Sequence, residues 1–177
     1  MMNSVIMPVH KIHPTAIVHP NAVIGKNVEI GAYAVVGDDV VLGDGCKLYP
    51  HAVIHEHTTV GKNCTFFPGC SIGAVPQDLK FAGENSSTII GDGCIFRECT
   101  TVNRATGEGN KTIIGNNLLM MAYTHVAHNC IVGNNVIMSN VATLAGHVTV
   151  EDRAVIGGLA AVHQFCKIGR SAMIGGQ

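Results

Sequence analysis

The sequence predicts a left-handed parallel β-helix of about eight coils, and three observations carry that prediction. Apolar residues recur at every sixth position, glycine recurs one position later, and the composition suits a tightly turned β structure. The 177-residue chain has 21 glycines, no tryptophan and only 13% charged residues. A helical period of 3.6 residues fits no stretch of the chain, so the prediction is all-β.

The six-residue period runs from Ile12 to Ile174. Of the 28 positions in this range whose number is a multiple of six, 25 are apolar, although such residues make up only 47% of the chain. A smaller residue precedes most of them by two positions, so a short strand points both side chains inward. Glycine then turns the chain where a positive φ is cheap. Hexapeptide repeats of this kind are typical of a parallel β-helix.

Three hexads per coil place residues i and i+18 above one another, about 4.8 Å apart along the axis. This register puts six of the seven cysteines at the small inward position: Cys46, Cys64, Cys70, Cys94, Cys130 and Cys166. A buried cysteine behaves as a compact apolar residue. We therefore expect these thiols in the core and not in a disulfide framework or a metal site.

Two excursions interrupt the repeat without shifting its phase. Residues about 74–87 and about 104–111 carry charged residues where core positions are expected. In a solenoid such insertions are projecting loops, and they often bind ligands. The remainder predicts one β-helix domain over residues 12–177, preceded by an N-terminal lead-in of residues 1–11.

The charge and hydropathy of the chain exclude several classes of protein. A formal charge of -1 gives no electrostatic reason to expect nucleic acid as a partner. No run of 18 apolar residues is present, so no membrane span is expected. The N-terminus lacks the basic segment and apolar core of a signal peptide. We expect a cytoplasmic protein.

The coil register also predicts a cluster of polar residues on one face of the helix. It stacks Gly146 over His128 and His147 over Asn129, and it gathers His125, His128, His147, His163 and Gln164. Gly146 leaves space beside His128, and its backbone N–H is a potential donor. An imidazole next to an open amide combines a general base with an oxyanion stabiliser, which is the minimum for acyl transfer.

Two other interpretations of this cluster stay open. The histidines can form an unreactive polar ladder. They can also bind zinc, as in the gamma-class carbonic anhydrases, which share this fold. That class needs three ligands with a fixed reach. His125 and His128 are three residues apart, whereas we associate a spacing of about five with that class.

Four segments carry a resemblance to a known family. They are His125–Cys130, Thr143–Val148, Gly157–Phe165 and, in the first excursion, Pro76–Glu84. In this order they resemble the acyl-carrier-protein-dependent UDP-N-acetylglucosamine O-acyltransferase family, which performs the first step of lipid A synthesis. The similarity extends from about Ile12 to the last residue.

The resemblance implies roles for individual residues. His128 would take the proton from the sugar 3-hydroxyl, and the Gly146 amide would stabilise the oxyanion. Contacts to the nucleotide sugar or the base would come from His125, His147, His163 and Gln164. Asp78 and Lys80, with Gln77 beside them, would engage the glucosamine and the acyl donor. Gly176 would lie in the groove that limits acyl length.

The resemblance also implies partners, and the sequence departs from the family at two places. The family works as a homotrimer with acyl carrier protein and binds no cofactor or metal, because the carrier protein brings its own phosphopantetheine. Asn129 stands where some relatives carry Asp, and an alternating backbone would point it away from His128. The family's C-terminal helical region is absent, so we expect a C-terminally truncated chain. A 3-amino sugar nucleotide remains an alternative acceptor.

Overall fold

A computed structural model of the chain describes residues 11–177. The β-helix expected from the hexad period is confirmed, because this range holds 25 short strands and no helix. The expected lead-in lies outside the described residues except for Lys11, which belongs to the first strand. Within the described part of the chain there is accordingly no helix that could cross a membrane.

The strands form three parallel sheets, and the chain visits them in turn. The first sheet contains β1 (Lys11–Ile12), β4 (Glu29–Ile30), β7 (Lys47–Leu48), β10 (Thr65–Phe66), β13 (Ile95–Phe96), β16 (Leu119–Met120), β19 (Ile137–Met138), β22 (Val155–Ile156) and β25 (Met173–Ile174). The second contains β2 (Ile17–Val18), β5 (Val35–Val36), β8 (Val53–Ile54), β11 (Ser71–Ala74), β14 (Thr101–Asn103), β17 (His125–Val126), β20 (Thr143–Leu144) and β23 (Ala161–Val162). The third contains β3 (Val23–Ile24), β6 (Val41–Leu42), β9 (Thr58–Val60), β12 (Ser87–Ile90), β15 (Lys111–Ile114), β18 (Ile131–Val132), β21 (Thr149–Val150) and β24 (Lys167–Ile168).

The register between neighbouring coils follows the predicted stacking. Glu29 pairs with Lys47, and contacts between regular coils join residues 18 apart, as Lys11 and Glu29 do. The separation rises to 30 where β11 pairs with β14 across the first excursion. It is 24 where β14 pairs with β17 across the second. Both excursions therefore leave the coil as loops, and the sheets continue through them.

The core is a column of inward side chains. Large residues from successive coils stack, as Phe66 does on Phe96 with ring centroids 5.0 Å apart. Five of the six cysteines expected in the core are buried, and all seven are free thiols. Burial raises the pKa of Cys130 to about 11, so this thiol is a poor nucleophile at neutral pH.

The expectation for Cys166 is wrong, because its side chain is exposed. It occupies the small inward position of the last complete coil. An inward residue is covered by the one 18 positions later, and the described chain provides no residue above Cys166. Position in the repeat therefore buries a side chain only where a further coil covers it.

Each coil turns three corners, and at each corner a residue often adopts the left-handed conformation. At the corner between the third and first sheets, an asparagine or aspartate side chain accepts a hydrogen bond from a backbone N–H at the same corner of the preceding coil. We call this the Asx corner and define it by its capping residues Asp44, Asp92, Asn116, Asn134 and Asp152. Its N–H to Oδ1 distances run from 2.6 to 2.8 Å.

The other two corners differ in chemistry. Between the first and second sheets, the apolar corner exposes Tyr33, Tyr123, Val141 and Leu159. Between the second and third sheets, the histidine corner carries His128, Asn129, Gly146, His147, Gln164 and Phe165. The candidate site lies at this third corner.

Candidate active site

The histidine corner is built from the turns that follow β17, β20 and β23. Backbone hydrogen bonds join these turns: the His147 N–H donates to the His128 carbonyl at 3.0 Å, and the Phe165 N–H donates to the Gly146 carbonyl at 3.2 Å. The stacking of these turns is therefore the one that the 18-residue period predicts. Because the sheets on both sides fix the turns, their side chains emerge in one column.

The first excursion lies beside this column and encloses a cleft of about 570 Å³. The cleft brings together six residues singled out in the sequence and two that were not. It is lined by Gln77, Asp78, Leu79, Lys80, His128, His147, Gln164 and Phe165. The loop thus supplies one wall and the coil corner the other.

His128 has an enclosed side chain that faces a carboxylate of the loop. Only 14% of its side chain is exposed, and its Nε2 lies 3.9 Å from Oδ2 of Asp78. The other carboxylate oxygen, Oδ1, accepts the backbone N–H of Lys80 at 3.0 Å. This turn within the loop therefore presents one free carboxylate oxygen of Asp78 to the imidazole.

Only glycine fits at position 146, because the His128 ring lies against it. A Cβ at this position would lie 2.6 Å from both Cε1 and Nε2 of the imidazole. Within residues 11–177 the Gly146 N–H donates no hydrogen bond. The corresponding N–H of Asn116, at the Asx corner, is capped by Asn134 at 2.8 Å. The Gly146 amide is thus a free donor beside the imidazole.

His147 is held between two rings. Its ring meets that of His128 edge to face, with centroids 5.2 Å apart, and stacks on Phe165 at 4.8 Å. Burial, and then the charge of a protonated His128, lower the pKa of His147, while the Asp78 carboxylate opposes them. Lowering this pKa favours a neutral imidazole at neutral pH.

Phe165 was missed by the sequence reasoning, although the signal was present. The register that places His147 over Asn129 also places Phe165 over His147, and an aromatic residue there stacks on the imidazole. Leu79 had no such signal, because its loop follows no repeat. Its side chain is fully exposed at the mouth of the cleft.

Besides Gly146, three of the residues singled out in the sequence lie outside the cleft lining. His125 points from β17 on the second sheet, where its Nδ1 lies 2.7 Å from Oγ1 of Thr101. Burial, and then the charge of His128, lower its pKa. His163 is exposed, and its Nδ1 lies 3.2 Å from the Gln164 carbonyl oxygen. Gly176 lies at the apolar corner, stacked on Gly158.

The expectation that Asn129 points away from His128 is wrong. The Asn129 Oδ1 lies 2.8 Å from Nδ1 of His128. Asn129 has a φ of 59°, and a left-handed corner residue does not follow the alternation of a strand. Its backbone N–H donates to Oγ1 of Thr112 at 2.9 Å, so the turn that holds the pair is itself anchored.

The second excursion holds the first in place. The Arg104 side chain is 9% exposed and donates to Oε1 of Glu56 at 3.0 Å. Its guanidinium lies 5.4 Å from the centre of the Phe81 ring in the first excursion. The neighbouring Asn103 Nδ2 donates to the Val75 carbonyl at 3.1 Å. These contacts order the loop that carries Asp78.

Within residues 11–177, no three or more histidine, cysteine, aspartate or glutamate side chains are arranged to hold a metal ion. His125 and His128, the closest pair in the sequence, have different partners: a threonine hydroxyl for the first and an asparagine amide for the second.

Comparison with known proteins gives a consistent set of relatives. Residues 1–118 match the family model of the GMPPB C-terminal domain. The acyl-[acyl-carrier-protein]–UDP-N-acetylglucosamine O-acyltransferase of Xanthomonas euvesicatoria is 60% identical over 111 residues, which cover 62% of this chain and 42% of that protein. The corresponding protein of Gloeothece citriformis is 50% identical over 110 residues, which cover 62% of this chain and 40% of the relative. The chain thus spans about two fifths of the curated relatives it matches.

Solved structures extend the similarity over most of the fold. The LpxA of Acinetobacter baumannii superimposes with a TM-score of 0.91 and 44% identity, covering 93% of this chain and 64% of that one. The fold and the motifs of the histidine corner thus lead to the same relatives. The chain is similar in sequence and fold to UDP-N-acetylglucosamine O-acyltransferases, and it belongs to the GMPPB C-terminal domain family.

Proposed function

We propose that the chain transfers a 3-hydroxyacyl group from acyl carrier protein to the 3-hydroxyl of UDP-N-acetylglucosamine, the first step of lipid A synthesis. One observation carries the proposal. His128 lines a cleft whose other wall is the loop that carries Asp78 and Lys80, and Gly146, whose N–H is uncapped, lies against the His128 ring. The names of the matching relatives give the same acyl donor and acceptor, acyl carrier protein and UDP-N-acetylglucosamine.

The chemistry proceeds through a tetrahedral intermediate. The Nε2 of His128 takes the proton as the sugar hydroxyl oxygen forms a bond to the thioester carbon. The carbonyl oxygen gains negative charge and accepts a hydrogen bond from the Gly146 N–H. When the C–S bond breaks, the imidazolium returns the proton to the phosphopantetheine thiolate. An oxyanion donor in such a site contributes about 10²–10³ to the rate, and a general base about 10²–10⁴.

The remaining residues of the cleft have binding roles in this proposal. Asp78 accepts a hydrogen bond from the glucosamine through its free oxygen, and Lys80 and Gln77 meet the acyl donor at the mouth. His147 and Gln164 contact the nucleotide sugar from the coil side. His125 and His163 lie next to this wall and contact the nucleotide farther along. Because the chemistry is acid–base and electrostatic, the site requires no cofactor of its own.

The active form in this proposal is a homotrimer with each site between two subunits. The apolar corner supports this, because Tyr33, Tyr123 and Leu159 are each more than half exposed along one edge. Gly176 lies at the apolar corner and His128 at the histidine corner. A groove that contains both residues must therefore be formed by two subunits.

The proposed substrates also indicate a location. A nucleotide sugar and an acyl carrier protein meet in the cytoplasm, and we place the activity there. Acyl carrier protein is the protein partner, and Lys80, which is exposed on the first excursion, is available to contact it.

The test is a transfer assay on the 177-residue chain with 3-hydroxyacyl-carrier protein and UDP-N-acetylglucosamine. We expect an ester at the sugar 3-position and a loss of about 10²–10⁴ in kcat/KM for His128→Ala. His19→Ala is the matched control, because His19 pairs with Asp38 outside the cleft. Transfer by His128→Ala at the parent rate would contradict the assigned base. Preference for a 3-amino sugar nucleotide in competition would change the assigned acceptor.

A further inference from the structure

The second excursion makes a contact with the base that the proposed chemistry does not use. Thr106 donates its backbone N–H and its hydroxyl to Oδ1 of Asn129, at 2.9 and 3.0 Å. In return, Nδ2 of Asn129 donates to the Thr106 carbonyl at 3.1 Å. These three bonds form a reciprocal clamp around one side-chain amide.

The clamp determines which end of the amide faces His128. Turning the Asn129 amide over would set its NH₂ group against the Thr106 N–H and its oxygen against the Thr106 carbonyl. Oxygen Oδ1, which carries no proton, therefore faces Nδ1 of His128 at 2.8 Å. Because Oδ1 can only accept, Nδ1 must carry the proton.

A proton on Nδ1 leaves the lone pair of the neutral imidazole on Nε2. That nitrogen faces the cleft and Asp78. An aspartate at position 129 would present an acceptor in either orientation, but an asparagine does so in only one. The amide therefore needs an orienting partner, and the clamp provides it.

We propose that Thr106 is a positioning residue that acts through Asn129 to hold His128 in the tautomer with Nε2 unprotonated. Its kinetic consequence rests on the proposed function, since only there is Nε2 the base. The tautomer itself does not depend on that function. Arg104, two residues earlier, anchors the first excursion, so one short loop positions both walls of the cleft.

The test combines ring-nitrogen NMR with steady-state kinetics on the 177-residue chain. The His128 signals are assigned by their loss in His128→Ala. Thr106→Val keeps the shape and the two backbone bonds but removes the hydroxyl bond to Oδ1, one of the three bonds of the clamp. Thr106→Ser restores the hydroxyl. Asn129→Leu removes the acceptor entirely and sets the upper limit of the effect.

We expect Thr106→Val to increase the fraction of His128 protonated on Nε2 and to lower kcat about three- to tenfold with KM unchanged. Asn129→Leu shifts both quantities further in the same direction, and Thr106→Ser retains the parent values. If Thr106→Val and Asn129→Leu keep the parent tautomer, or if Thr106→Val changes only KM or thermal stability, the proposal is wrong. A shifted tautomer in a chain that transfers no acyl group supports the clamp and overturns the proposed function instead.

Discussion

The Asx corner and the histidine corner are turned by the same backbone but end in different chemistry. At the Asx corner, the N–H of Asn116 is capped by Asn134 in the next coil, and the N–H of Asn134 by Asp152. At the histidine corner, the residue 18 positions above Gly146 is Gln164, and the Gly146 N–H donates no bond within the described chain. A capped donor stabilises the fold, whereas a free donor is available to a substrate.

The largest effect is expected from filling the space that Gly146 leaves. Gly146→Ala would place a Cβ 2.6 Å from the His128 ring, and the imidazole must move away. Because a misplaced base loses most of its contribution, we expect kcat to fall by about 10²–10⁴. Steady-state kinetics measure this.

Gly169→Ala is the matched control for that substitution, since a Cβ at Gly169 meets nothing within 4 Å. Its kcat should stay close to that of the parent. An active Gly146→Ala variant would mean that the close approach of Gly146 to His128 has no catalytic role.

A smaller effect, on stability and not on activity, is expected at the Asx corner. Asn134→Ala removes the cap on the Asn116 N–H and a bond from its own Nδ2 to Asp152. Each such bond is worth about 0.5–1.5 kcal/mol, so the loss of two should lower the free energy of unfolding by about 1–3 kcal/mol. Urea unfolding measures the loss. An unchanged midpoint would show that the caps do not stabilise the coil.

The smallest effect concerns pH. Burial lowers the pKa of His125 below its ordinary value of 6.5. The unfolded chain then binds this proton more tightly than the folded chain does, so stability is full above pH 6.5 and falls as the pH drops below it. His147 contributes in the same direction.

The variant His125→Asn removes one titrating group and should reduce the difference between urea midpoints at about pH 8 and pH 5.5. His13→Asn, at an exposed site, should leave the difference as it is. A His125→Asn difference equal to that of the parent would show that burial of His125 does not contribute to the pH dependence.

The sequence predicts the regular coils well because a fixed period determines which residues stack. It therefore predicts Gly146 over His128 and, followed consistently, Phe165 over His147. It fails where the period carries no information. The left-handed φ of Asn129 reverses the direction expected from strand alternation, and the contact of Thr106 with Asn129 arises from a loop without a repeat. The prediction that Cys166 is buried fails because a core position also needs a coil above it.

The central claim is that a free Gly146 N–H at the histidine corner stabilises the oxyanion. The most direct measurement compares kcat before and after a cap like those of the Asx corner is introduced at the histidine corner. Gln164→Asn places an amide oxygen where Asn134 stands relative to Asn116, and Gln164→Ala removes the side chain without adding a cap. If the claim holds, the Asn variant loses about 10²-fold in kcat at unchanged or higher stability, while the Ala variant keeps kcat within about threefold of the parent. Equal kcat values for the Asn and Ala variants, with the cap observed on the Gly146 amide, would contradict it.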